Sequence, residues 1–185
     1  MSHRVSTTRV LAISGSLRRH SGNSTLVSAV AQLAPDGACV SIYPRLEEIP
    51  PFNPDRDGPD PPTAVLDLRE QLQRCDALVI SSPEYAHGVP GVLKNALDWI
   101  VGSGELMGKP VALLRTSSRG ALAHASLVET MTVMSAVVVI AASVVVPLDG
   151  RPLTPAAIVA DSELSAIVRS ALAALIHAVG TASHR

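Results

Sequence analysis

Three short runs constrain this chain more than anything else in it: residues 10–14 (VLAIS), 77–81 (ALVIS) and 110–114 (PVALL). Each is apolar through at least four residues and then enters a loop of small polar residues. A strand that alternates apolar and polar residues has one wet face, whereas an unbroken apolar run is covered on both. Strands covered on both faces need helices on both sides of the sheet. The intervening segments supply them, with apolar residues at helical spacing. Leu26, Val30 and Leu33 mark a helix over 24–34; Val65, Leu68 and Leu72 another over 65–74; Leu93, Ala96, Leu97 and Ile100 a third over 91–101. A fourth is expected over 121–134. A last one over 161–179 carries Leu164, Ile167, Val168, Ala171, Leu172, Leu175 and Val179 on one stripe. Residues 38–43 and those from 137 onward complete the strands. Strands alternating with helices predict an α/β fold with a parallel sheet.

The chain of 185 residues suits one domain spanning 1–185 with a flexible tail at 1–8. Segment 44–62 holds seven of the 14 prolines, too many for a helix or central strand, and is expected to be a long loop bordering the site. A formal net charge of −1 provides no field to attract nucleic acid or an anionic membrane. Cys39 and Cys75 lie far apart with no metal-ligand spacing, so they are expected as two reduced, buried thiols, and no metal site is expected. The N-terminus is polar, and the longest strongly apolar stretch, 137–146, is about half the roughly 20 residues of a membrane helix. A soluble, cytoplasmic protein without membrane contact follows as the expectation.

Three strands end in polar loops: 15–25 (GSLRRHSGNST), 82–90 (SPEYAHGVP) and 116–120 (TSSRG). In an open parallel sheet, loops at the carboxyl ends of strands flank the point where ligands bind. The first loop enters a helix with hydroxyls, an amide and Arg18, a set suited to phosphate; it reads equally as a capped helix start with Ser21 or Asn23 as N-cap. It has no Gly-Lys-Ser/Thr, no GxGxxG and no cysteine, which excludes a nucleotide-hydrolysing loop, a dinucleotide fingerprint and a phosphatase nucleophile. The second loop is a proline-bounded turn whose backbone can face a flat ligand.

Gly-Ser-Leu-Arg at 15–18 with Ser-Gly-Asn at 21–23, Pro-Glu-Tyr at 83–85 and Pro-Gly-Val-Leu-Lys-Asn-Ala-Leu-Asp-Trp at 90–99 resemble the NADPH-dependent FMN reductase family. The resemblance runs from residue 10 to about 146. It implies a flavodoxin-like fold with a five-stranded parallel sheet of order 2-1-3-4-5, FMN and NADPH (or NADH) as cofactors, a small-molecule electron acceptor, and a homodimer or homotetramer. Carried over by position, Ser16, Arg18, Ser21, Asn23 and Ser24 would hold the FMN phosphate. Pro83, Glu84, Tyr85, Ala86, His87 and Gly88 would line the ring, and Ser117, Ser118 and Gly120 would meet its pyrimidine side. Family members often carry Asn where Ala86 stands, so a side-chain amide contact is absent here.

The flavin carries the chemistry in this reading, so no catalytic acid, base or nucleophile is assigned to the chain. His87 is placed to donate a proton, but a solvated loop histidine that shapes the pocket is the simpler reading. Glu84 is read as orienting its turn. Tyr85 is read equally as stacking near a subunit cleft or anchoring the turn, and Trp99 as a packing residue. Arg119 is a candidate for reading a 2′-phosphate. Two other functions compete: an FMN protein that only carries electrons between partners, and a binding module that kept the fold without redox activity.

Overall fold

The computed structural model describes residues 7–18, 20–151 and 153–182. Of the tail expected at 1–8, residues 1–6 fall outside the described residues, and Thr8 already opens the first strand. The strands are β1 (Thr8–Ser14), β2 (Ala38–Ile42), β3 (Ala77–Ser81), β4 (Pro110–Leu114) and β5 (Val137–Val138). All pair parallel in the order β2-β1-β3-β4-β5, the expected flavodoxin-like arrangement. The helices are α1 (Gly22–Gln32), α2 (Thr63–Arg74), α3 (Gly91–Asp98), α4 (Ala121–Val133), α5 (Pro155–Ala160) and α6 (Ser162–Ala182).

Successive strand residues point to opposite faces, and the apolar runs therefore fill two cores. Leu11, Leu78, Ile80, Val111 and Leu113 pack against α2, α3 and α4. Val10, Ala12, Val79, Ala112 and Leu114 pack against α1, α5 and α6. Every residue of β3 and β4 is buried, as their unbroken apolar sequence requires. Helix α6 is long and apolar enough to cross a membrane by length and composition alone. Its stripe of Leu164, Val168, Ala171, Leu172 and Leu175 is instead spent on the second core.

Two expectations need correction, and one helix comes in addition. Cys39 is exposed, while Cys75 is buried. The reason is position: β2 is an edge strand, Val40 turns toward the α1 side, and its neighbour Cys39 faces the other way beside Arg9. The fifth strand is two residues long, because a 3₁₀ turn at Ile140–Ala142 interrupts the valine-rich run. A short helix, α5, follows Thr154, whose side chain caps it.

Candidate functional site

The loops after β1, β3 and β4 meet at the carboxyl edge of the sheet, and glycines set how closely. The Gly15 amide donates to the Ser81 carbonyl at 2.8 Å. A Cβ built on Gly15 would lie 2.6 Å from Ser82 Oγ and 3.0 Å from Leu93 Cδ2, so only glycine lets the first two loops abut without a shift. Gly120 serves the third loop twice over. Its φ of +89° is left-handed, and a Cβ there would approach Glu84 Cβ to 3.3 Å.

The first loop is held by hydroxyls. Ser21 caps α1, its Oγ accepting from the Ser24 amide at 3.0 Å and donating to Ser24 Oγ at 2.9 Å. This resolves the open choice of cap in favour of Ser21. Asn23 sits inside the helix, and its Oδ1 accepts from the buried Ser81 hydroxyl at 2.9 Å, which ties α1 to the end of β3. Ser14 Oγ and Ser24 Oγ are 2.9 Å apart, and Ser16 Oγ accepts from the Arg18 amide at 3.3 Å. Among the described residues no acceptor meets the Gly22 and Asn23 amides, two helix N-terminal donors of the kind that suits an anion.

The second loop forms a tight hairpin turn. Tyr85 and Gly88 exchange backbone hydrogen bonds of 3.1 and 2.9 Å around Ala86 (φ +48°) and His87 (φ +63°). Two positive φ values mark a type I′ turn, in which a residue with a Cβ is strained. Glu84 braces this turn against α4: Oε2 accepts from the Ala123 amide at 2.8 Å and Oε1 lies 3.3 Å from His87 Nδ1. The Ala123 amide, aided by His87 and opposed by partial burial, holds the Glu84 carboxyl below its ordinary range. Tyr85 is 57 % exposed, so it does not anchor the turn. In the third loop, Asp149 accepts from Ser117 Oγ at 2.8 Å and from Arg119 at 2.9 Å. Those two bonds hold its carboxyl below the ordinary range.

Two cavities result. One of about 260 Å³ opens between the second and third loops, with Ile80, Leu113 and Leu127 as apolar lining and Asn23, Pro83, Glu84, Ser117 and Gly120 around it. The other, about 230 Å³, is lined by Ser16, Arg18 and Ser24 on one side and Tyr43, Pro44 and Glu47 on the other. The beginning of the proline-rich segment thus borders the site, as expected. Ser21, Ser118 and the residues 85–88 line neither cavity.

The sequence reading gave Asn95, Arg115 and His124 no role at the site; Trp99, read as a packing residue, is fully buried. Asn95 and Trp99 strap the proline-rich segment down: Asn95 Oδ1 accepts from the Phe52 amide at 2.7 Å, and Trp99 Nε1 donates to the Pro50 carbonyl at 2.8 Å. An amide on a helix gives no sequence signal for such a role. Arg115 and His124 line the 260 Å³ cavity. They come together only because β4 ends beside the second turn of α4.

A family profile described as NADPH-dependent FMN reductase matches residues 8–150. The quinone reductase of Escherichia coli (strain K12) is 38 % identical over 120 residues, 63 % of this chain and 63 % of that protein. An NAD(P)H-dependent FMN reductase of Pseudomonas aeruginosa is 40 % identical over 112 residues, 60 % of each chain. The chain thus spans less than two thirds of the length of these curated relatives. Among solved structures, the flavoenzyme NAD(P)H:(acceptor) oxidoreductase FerB of Paracoccus denitrificans superposes with a TM-score of 0.76 at 24 % identity, covering 94 % of this chain and 98 % of that one. An azoreductase of Bacillus anthracis gives 0.55 at 17 % identity, covering 96 % and 100 %. At these identities the two structures speak for the fold alone.

Proposed function

The chain belongs to the NADPH-dependent FMN reductase family, and from that premise we propose that it is a single-domain NAD(P)H-dependent FMN oxidoreductase acting on a small-molecule acceptor. Bound FMN would supply the redox chemistry, taking hydride from the nicotinamide and passing two electrons to a flavin, quinone, azo compound or metal oxyanion. The observation that carries this reading is the Gly15–Ser82 approach. It sets a hydroxyl-lined helix start beside a tight backbone turn, which supports one ligand bridging both loops.

The residues fit that ligand. At the first loop, the Gly22 and Asn23 amides, the α1 dipole and the exposed Arg18 all favour a dianion. Ser16, Ser21 and Ser24 add hydroxyls around it, and Asn23 holds this loop to β3. Across the cleft, Ile80, Leu113 and Leu127 offer an apolar bed for a ring. Pro83, Glu84, Ser117 and Gly120 line the same cavity, and the turn Tyr85–Ala86–His87–Gly88 with Ser118 would meet the ring from outside it. No proton donor is assigned: His87 has a 79 % exposed side chain, and its Nδ1 is turned to Glu84.

Two copies acting together suit the exposed apolar residues on and beside α4, Leu122, Val133 and Val137. A cytoplasmic location suits two unbridged cysteines.

The test is optical. The purified chain titrated with FMN should bind it and show a perturbed flavin spectrum, and NADPH added without air should bleach that spectrum with no second protein present. Bleaching only on addition of a separate reductase would make the chain a carrier, and failure to bind FMN would refute the reading. Arg18→Ala should weaken FMN binding by about 1.5–3 kcal/mol, the worth of a hydrogen bond to a charged group.

A further inference from the structure

Among the described residues, the 260 Å³ cavity contains a cation with no counter-ion. Arg115 follows the last residue of β4, and its backbone is fixed on both sides: its amide donates to the Val144 carbonyl at 3.0 Å and its carbonyl accepts from the Val146 amide at 2.8 Å. Its side chain is half-buried and lines the cavity, yet among the described residues no hydrogen bond or ion pair reaches the guanidinium. Its nitrogens still reach solvent through the cavity, so the charge is open to a ligand that enters. Beside Arg115 stands the half-buried His124, from the second turn of α4. Burial first, and the Arg115 charge second, push the imidazole below its ordinary range.

The other charged groups of this cavity are already engaged. Glu84 is bound to the Ala123 amide and His87, and Arg119 is bound to Asp149. Neither neutralises Arg115. The pair lies two strands across the sheet from β1, and Asn23 of the first loop lines the same cavity.

We propose that Arg115 and His124 form an anion-receiving pair in the cleft, taking a negatively charged oxygen on a flat aromatic ligand. The aromatic part follows from the bed of Ile80, Leu113 and Leu127 next to the pair. The geometry serves either of two sources of such an oxygen: the pyrimidine edge of the flavin, or an acidic substituent on the second ligand. The assignment rests on the proposed function only for the first source. An anion between the two groups relieves their mutual repulsion, so binding is linked to protonation of His124 and tightens as pH falls.

The experiment follows the His124 ring proton by NMR across pH, in the full chain alone, with FMN, with naphthalene-2-sulfonate, and with both. An oxyanion at this pair raises the proton affinity of His124 about tenfold, one pKa unit. A rise with FMN alone assigns the oxygen to the cofactor; a rise that needs the sulfonate assigns it to a second ligand. Arg115→Gln abolishes the rise and Arg115→Lys keeps part of it. The proposal is overturned if neither ligand moves His124, if the uncharged naphthalene-2-sulfonamide acts as strongly as the sulfonate, or if Arg115→Gln retains the full effect. A chain that takes no FMN refutes the cofactor reading instead, and the sulfonate arm still decides this one.

Discussion

Gly15→Ala tests whether the first and second loops must touch. The backbone at Gly15 is not left-handed, so alanine meets no conformational penalty there and the variant probes space alone. The added methyl would fall 2.6 Å from Ser82 Oγ and 3.0 Å from both Ser82 Cβ and Leu93 Cδ2. Ser82 Oγ donates to the Pro83 carbonyl at 3.1 Å, so moving it disturbs the turn as well. Overpacking of this kind costs about 1–3 kcal/mol. Replacing glycine gives back about 0.4–1 kcal/mol by narrowing the unfolded ensemble. The net loss is about 1.3 kcal/mol at mid-range and at most about 2.6 kcal/mol, a mid-range fall in Tm of roughly 3–5 °C for a chain of this size. FMN affinity should fall with it, since the steric push separates the two loops that the ligand bridges. A double-mutant cycle with Ser82→Gly isolates the contact. That change deletes both serine atoms and leaves only the Leu93 methyl tip, so the double variant should recover at least about 0.5 kcal/mol beyond additivity. Thermal unfolding gives the stability arm and flavin fluorescence titration the binding arm. Strict additivity of the two substitutions would refute the claim that these loops are locked against each other.

Four other outcomes follow from the same geometry. Ala86→Asn should stabilise the chain by about 0.5–1 kcal/mol, because asparagine tolerates the left-handed φ of +48° that strains alanine; an unchanged or lower Tm counts against the type I′ turn. Asn23→Ala leaves the Ser81 hydroxyl buried without its acceptor and should cost about 1–3 kcal/mol by denaturant titration. The Glu84 carboxyl is held below its ordinary range, so its contribution is fully present above the unfolded value of about 4.3 and lost as pH falls through the lower folded value. The Tm gap between the native chain and Glu84→Gln should therefore persist at pH 7 and close in acid, and a gap that widened in acid would reverse the sign. Finally, Cys39 should react with a thiol reagent in the folded chain, whereas Cys75, whose thiol burial pushes up, should react only on unfolding. Two equally fast thiols would contradict the edge-strand placement.

What could be read from residue order follows a physical line. Features decided by burial on both faces were legible: β3 and β4 keep the expected bounds, the α2 stripe is buried, and so are five of the seven residues expected on the α6 stripe, Ile167 and Val179 being half-buried. Features decided by side chains that enter the backbone ladder were not. The run from 137 is as valine-rich as any strand, yet Ser143 Oγ accepts from the Leu113 amide at 3.0 Å and donates to the Val139 carbonyl at 2.9 Å. A hydroxyl takes the place of a backbone partner, the chain turns through Ile140–Ala142, and strand pairing resumes only as a single bridge from Arg115 to Val145. Hydropathy has no term for that exchange. The site divides in the same way. Its loops were findable, because strands buried on both faces must end in polar turns on one edge. Arg115 and His124 were not, because nothing in either residue's own neighbourhood marks it; their meeting depends on which strand lies beside which helix. A parallel sheet collects chemistry from distant segments at its carboxyl edge. The loop motifs therefore point to that edge, and the groups that set its charge are supplied by the topology.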